Sequence, residues 1–313
     1  MSFILDSCRG VTRLRALVLA VLMLTVATAC DDSTAPTGPA NTDDGITVLP
    51  AGDQPLASAF AGGIPLGNFA QPLSEFGSIF NGAHANSTPT GLLRELQAIK
   101  SRGGKVVLCL SGAPKYYLDG SGNFSLTKWK ERVKRFQGVN FRSYIDDGTI
   151  VGHYLIDEPN DAANWNGKPV SASTVEEMAK YSKSIWPSMA TIVRAEAKFM
   201  GDNHRYLDAA WAQYLYRRGN VNEYIKDVVS DAQRKGLALV VGMNVMKGGN
   251  PHGTKMTASE VEQWGSALLS SGYPCAFINW TYNSDYFNSS GIKSAMSSLR
   301  RKAENRSTKS CKA

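Results

Sequence analysis

Two consecutive carboxylates, Asp157 and Glu158, end the run Gly152-His153-Tyr154-Leu155-Ile156 and are followed at once by Pro159. The residues before them favour a buried strand, and a proline cannot donate to a sheet ladder, so the acids stand where the strand stops. Adjacent carboxyls suit proton transfer. One can protonate a leaving oxygen while the other acts as nucleophile, activates water or tunes the first. On a regular strand the two side chains point to opposite faces, so both serve one substrate only if the strand end twists or bulges.

Groups of complementary chemistry recur along the chain. Glu196 follows an apolar Thr-Ile-Val run, Gln213 and Tyr214 end another, and Asn244 follows Val240-Val241. Trp280, Tyr282 and Asp285 lie beyond Ala276-Phe277-Ile278-Asn279. Trp165 sits in a polar loop, where a large ring suggests a stacking platform, and Tyr116 and Tyr117 are weaker candidates of the same kind. Carboxylates among amides and flat rings are the groups that hydrolysis of a glycosidic bond requires, with rings stacking on sugar faces. Structural roles compete with these. Asp157 can be a buried anion paired with Arg194, Glu196 an ion-pair partner, and His153 a core histidine. Trp129, Trp186 and Trp264 lie on helices and should pack.

The elements that must position these groups alternate. Strands are expected at Ala59–Gly63, Ser78–Gly82, Lys105–Leu110, Thr149–Glu158, Thr191–Val193, Leu207–Tyr214, Leu237–Val241 and Ala276–Trp280. Helical periodicity appears around Leu92–Ile99, Trp129–Phe136, Met178–Ile185, Tyr224–Ala232, Val261–Leu268 and Ile292–Leu299. Ser173 with Glu176 and Thr257 with Glu260 have the spacing of capping boxes. The repeat is about 31 residues per strand, the size of a βαβ unit. A single (β/α)8 barrel is therefore expected over residues 55–303, with its reacting groups at the carboxyl ends of the strands. A doubly wound open sheet is less suited, because Gly62-Gly63-Ile64-Pro65-Leu66-Gly67 lacks the phosphate-turn spacing and its proline blocks a helix there.

Tyr154-Leu155-Ile156-Asp157-Glu158-Pro159-Asn160 resembles the strand-four signature of the retaining clan of (β/α)8-barrel glycoside hydrolases, where an Asn-Glu-Pro end carries the acid/base glutamate. The resemblance implies that Glu158 is the acid/base and that Asp157 replaces the sugar-binding asparagine. Trp280 is similar to the clan's aromatic platform at strand eight. That clan holds its nucleophile at the end of strand seven, where this chain reads Val240-Val241-Gly242-Met243-Asn244-Val245 without a carboxylate. The resemblance thus implies a similar barrel and site location and not the retaining mechanism. The expected function is hydrolysis of a poly- or oligosaccharide. Glu158 and Asp157 would be catalytic, and Trp280, Trp165, Tyr282, Gln213, Tyr214, Asn244, Glu196 and Asp285 would bind substrate. A non-catalytic carbohydrate-binding barrel is the alternative. A hydrolase with a divalent ion on Asp157, Asp161 and Asp285 is a third reading.

Outside the barrel the sequence reads as an export signal. Residues 1–29 join a basic start to a 14-residue apolar run too short for a comfortable membrane span, and Val26-Ala27-Thr28-Ala29-Cys30 resembles a bacterial lipobox. Cys30 is the expected lipidation site, followed by a flexible tether over residues 30–54 and, after the barrel, a basic tail over residues 304–313. The chain is expected in the cell envelope or secreted, attached to a membrane by its lipid, and monomeric. The net charge of +7 falls to about +5 without the leader, with no basic-aromatic stripe, so nucleic-acid binding is not expected. No cofactor and no metal site is implied by the spacing of the His and Cys residues. Cys275 begins the eighth strand and Cys311 follows the last helix, so both lie at the bottom of a barrel, and a Cys275–Cys311 disulfide is expected. Cys109, mid-strand, is expected to be a buried thiol.

Overall fold

The computed structural model describes residues 62–202 and 204–313. The expected signal peptide, Cys30 and the tether lie outside them. Eight parallel strands close into a barrel in sequence order, with β1 hydrogen-bonded to both β2 and β8. They are β1 (Leu66–Phe69), β2 (Gly82–Asn86), β3 (Lys105–Cys109), β4 (Ile150–Asp157), β5 (Thr191–Arg194), β6 (Ala209–Tyr214), β7 (Ala238–Met243) and β8 (Ala276–Asn279). The helices are α1 (Leu92–Ser101), α2 (Leu126–Lys134), α3 (Arg142–Asp146), α4 (Ala172–Ile185), α5 (Val221–Arg234), α6 (Ala258–Ser270), α7 (Ser284–Asn288) and α8 (Ser290–Glu304). This is the expected (β/α)8 architecture, with two abbreviations. The β1–β2 and β5–β6 connections carry a single 3₁₀ turn each, Leu73–Glu75 and Ala197–Phe199, in place of a helix.

The first two strands lie further along the chain than their apolar runs suggest. Glycine misleads here. Gly67 pairs with Gly82, and a Cβ on Gly67 would sit 1.6 Å from the Gly82 carbonyl oxygen, so these glycines belong inside the ladder where two backbones approach closely. Capping divides in the same way. Thr257 and Glu260 form the reciprocal box at the start of α6. At α4 the cap is Ser171, and Glu176 instead accepts the backbone N–H groups of Arg205, Tyr206 and Leu207.

Strand alternation divides the apolar residues into two layers. Trp129, Trp186 and Trp264 lie between sheet and helices, as their periodicity implies. The barrel interior holds Phe69, Val107, Tyr154, Ile192, Trp211, Val240 and Ile278. Phe69 is the hub of its upper half: its ring centroid lies 4.0 Å from that of His84, 4.8 Å from Trp211 and 4.8 Å from Trp280. His153 points outward, with Nδ1 2.9 Å from the Ser182 hydroxyl and its ring stacked on Trp129, which is the core role. At the bottom, Cys275 and Cys311 form the disulfide, with Cα atoms 5.3 Å apart, and draw the tail under the barrel. Cys109 is buried as expected, but its sulfur is disulfide-bonded and not a thiol.

Candidate active site

The end of β4 departs from regular geometry where the two acids stand. Its pairing with β5 shifts between Tyr154 and Asp157, and Glu158 has φ +37°, a left-handed conformation that costs a non-glycine residue about 1 kcal/mol or more. The kink does what a straight strand cannot: both carboxyls reach the same guanidinium. Arg194, the last residue of β5, donates through Nη1 to Asp157 Oδ1 and through Nη2 to Gln213 Oε1. Nη2 also lies 3.5 Å from Glu158 Oε1. The guanidinium carbon sits 4.7 Å from the Trp280 ring centroid and 5.6 Å from that of Phe69, in the range of cation–π attraction. The Trp280–Thr281 peptide is cis.

Asp157 and Glu158 occupy different surroundings. Asp157 is buried against Arg194, whereas the Glu158 side chain is 45% exposed, with Oε2 accepting from Asn164 Nδ2 at 3.2 Å. Partial burial, and then the neighbouring Asp157 charge, push the Glu158 carboxyl above the usual range, while Arg194 and the Asn164 N–H pull against the shift. A carboxyl that holds its proton more tightly, beside a second one clamped to a guanidinium, is how one site supplies an acid and an anion together. Burial works against the charge of Arg194, but the two carboxylates outweigh it and hold the guanidinium protonated. His84 on β2 is driven down to about 3 by burial and by Arg194, so it faces the interior neutral.

The remaining candidates divide. Gln213, Asn244 and Trp280 stand at the ends of β6, β7 and β8, with Gln213 on Arg194 and Asn244 bridged to Trp280. Trp165 is not a platform. It is 1% exposed, its ring is stacked beside Tyr117, and Nε1 donates to the Glu158 carbonyl at 3.0 Å, so it helps hold the kink in place. Tyr214 is also withdrawn: its parity turns it outward, where its ring meets Tyr224 and Trp264 and its hydroxyl donates to the Gly219 carbonyl. Glu196 is a buried ion-pair partner, 2.6 Å from Lys198 Nζ and 3.0 Å from Arg218 Nη2. Tyr282 stacks on Phe287, with its hydroxyl pushed up to about 12 by burial and by the neighbouring Glu75 carboxylate. Asp285 is exposed in the first turn of α7, and Asp161 caps the turn at Ala163. Among the described residues no group of three or more metal-ligating side chains converges, so the Asp157, Asp161 and Asp285 ion site is not formed.

Arg194 is the central group that sequence reasoning left as a mere partner. The available signal was its place as the last residue of the fifth strand, the position that Asp157 holds in the fourth. Phe69, His84 and Trp211 were missed because each looks like ordinary core until the barrel closes.

No family profile matches the chain. One segment is 40% identical over 55 residues to mannan endo-1,4-beta-mannosidase 3 of Solanum lycopersicum, covering 18% of this chain and 14% of that protein. Among solved structures, an exo-beta-1,4-mannosidase from Opitutaceae bacterium strain TAV5 superposes with TM-score 0.55 at 12% identity, over 77% of this chain and 60% of that one. A putative glycoside hydrolase from Parabacteroides distasonis gives 0.51 at 13% identity, over 80% and 96%. An endocellulase from Pyrococcus horikoshii gives 0.50 at 10% identity, over 76% and 91%. At these identities what is shared is the barrel.

Proposed function

We propose that the chain is a glycosidase acting on a poly- or oligosaccharide, with Glu158 as the proton donor at the carboxyl mouth of the barrel. The observation that carries this reading is the half-exposed Glu158 carboxyl, held at a kinked strand end beside Asp157 and Arg194, with burial and Asp157 raising its affinity for a proton. Trp280 supplies a flat ring beside it, and Gln213 and Asn244 supply amides for sugar hydroxyls. The mannosidase segment and the barrel's likeness to glycoside hydrolases support the same chemistry. Export and attachment through a lipid on Cys30 complete the proposal, and would place the barrel where polysaccharides are met outside the cytoplasm. Release of reducing sugar from a panel of soluble glycans, mannan and cellulose derivatives among them, tests it. Wild type should cleave at least one, and Glu158→Gln should not.

A second reading has its own observation. The inner end of β7 carries Gly242 and Asn244, and Asp157 is already committed to Arg194, so the barrel also suits carbohydrate binding without cleavage. Calorimetry separates the two: equal sugar affinity in wild type and Glu158→Gln, with no product from either, favours the binder.

A further inference from the structure

Single-displacement and double-displacement glycosidases both need a second group on the far side of the sugar from the acid, usually a carboxylate. Strand parity, together with the register shift in β4 that turns Asp157 inward, lets the inward residues at the eight strand ends be named: Phe69, Asn86, Ser111, Asp157, Arg194, Gln213, Asn244 and Trp280. Among them only β4 brings a carboxylate. The other candidates are paired elsewhere or stand exposed on the flanking turns. Glu196 is held by Lys198 and Arg218. Glu75 lies beside the Tyr282 hydroxyl and raises its hold on the proton. Asp208 precedes β6, hence lies at the bottom, where it accepts from the Thr191 N–H at 2.8 Å. Asp161 caps a turn, and Asp285 is exposed on α7.

What the mouth does hold is an adjacent pair sharing one guanidinium, with Glu158 half exposed and Asp157 beneath it. Asp157 accepts from Arg194, and the Tyr154 hydroxyl lies against the same carboxylate. An ionised carboxylate has about four lone-pair sites, so acceptor capacity remains for a substrate N–H. Trp280 and Phe69 give the space above Arg194 an apolar wall.

Resting on the glycosidase reading, we infer that the substrate brings its own nucleophile, and that the site is built for β-linked 2-acetamido-2-deoxyhexosides. The acetamido carbonyl oxygen attacks the anomeric carbon as the glycosidic C–O bond breaks, and the leaving oxygen takes the Glu158 proton. The product is a five-membered oxazolinium ring whose N–H is accepted by Asp157, the anion that balances its positive charge. Water then attacks the anomeric carbon and gives a proton to Glu158, and the ring C–O bond breaks to restore the acetamide. Atoms and charge return to the start with retained configuration. The β linkage is required because the attacking oxygen and the leaving group must lie on opposite faces.

The test compares 4-nitrophenyl β-N-acetylglucosaminide and β-N-acetylgalactosaminide with the matching β-glucoside, β-galactoside and β-mannoside, using the full chain. The expected result is a preference of about 100-fold or more in kcat/KM for the acetamido substrates, from a nucleophile already held in place. Calorimetry with a thiazoline analogue of the oxazolinium is the second arm, with binding expected in wild type and weakened about 10-fold or more in Asp157→Asn. Because Asp157 is also part of a buried ion pair, the wild-type thiazoline titration stands whether or not that variant folds. Hexosides cleaved as fast as acetamido sugars, with cleavage lost in Glu158→Gln, overturn this inference and leave the glycosidase reading intact. No cleavage of any glycoside and no thiazoline binding overturn both.

Discussion

Two carboxylate clusters stand one strand apart at the mouth of the barrel, and they behave oppositely. After β5, Glu196 has two cations and the Tyr224 hydroxyl to itself. At the end of β4, two carboxylates share the single guanidinium of Arg194. The first cluster is saturated and fastens the Ala197–Phe199 turn to the Tyr216–Arg218 turn. The second is short of positive charge, and the shortage falls on Glu158, whose proton is held more firmly. The ratio of cations to carboxylates, more than the presence of an acid, marks which cluster can do proton chemistry.

The largest expected effect sets these clusters against each other. Glu158→Gln should lower kcat/KM by about 10²–10⁴-fold, the usual cost of losing a general acid, with little change in the thermal melt. Glu196→Gln should do the reverse, leaving most activity while costing about 1–2 kcal/mol of stability, discounted because Lys198 and Arg218 are partly exposed. Paired kinetics and melts of the two variants check it, and a dead Glu196→Gln with an unchanged melt would break the comparison.

Arg194→Met removes the only cation of the second cluster and leaves Asp157 buried and unpaired. A loss of about 3–5 kcal/mol in denaturant unfolding is expected, as for other broken buried pairs. Arg194→Lys should recover part of it, since charge is kept while the forked geometry is lost.

The rings divide in the same manner. Trp280→Ala should weaken binding of a sugar ligand by about 1–3 kcal/mol in calorimetry. Trp165→Ala should cost about 3–5 kcal/mol of fold stability instead, because its ring is core and its N–H holds the Glu158 carbonyl. Unchanged stability in Trp165→Ala would remove it from the support of the kink.

The smallest effect is a pH shift. The folded-state pKa of Glu158 is raised, so its contribution favours the folded state at low pH and is lost as pH rises through the folded value. The alkaline limb of kcat/KM should therefore lie above the range of an ordinary glutamate. Because Arg194 pulls that value down, the limb should move to still higher pH in a folded Arg194 variant, and movement the other way would contradict the assignment.

Much of the architecture was legible because it rests on local rules. The repeat length, the β3, β4, β7 and β8 runs, the Thr257–Glu260 box and the helix-borne tryptophans all follow from periodicity that neighbouring residues carry themselves. The bottom disulfide followed from topology, since strands start and helices finish on one side. The errors share a cause as well. Gly67 falls beyond the expected first strand and Gly82 only at the end of the expected second, until two strands are seen to need their missing side chains. Trp165 and Tyr214 read as mouth residues because sequence places them near the mouth but does not say which way they face.

By itself, the sequence determined that a strand ends in Asp157-Glu158-Pro159, that seven more strands surround it, and that strand seven ends in Met243-Asn244-Val245 without a carboxylate. Those statements depend on residue order and on spacing along one segment. Only the tertiary structure decided that the strand end kinks at Glu158, that Arg194 arrives from the next strand to bind Asp157 and Gln213, and that Glu196 is spent on Lys198 and Arg218. Each of these joins residues from different strands or loops, and a carboxyl's affinity for its proton is set by the charges and solvent around it in space. The acid was written in the chain, and the neighbours that tune it were supplied by closing the barrel.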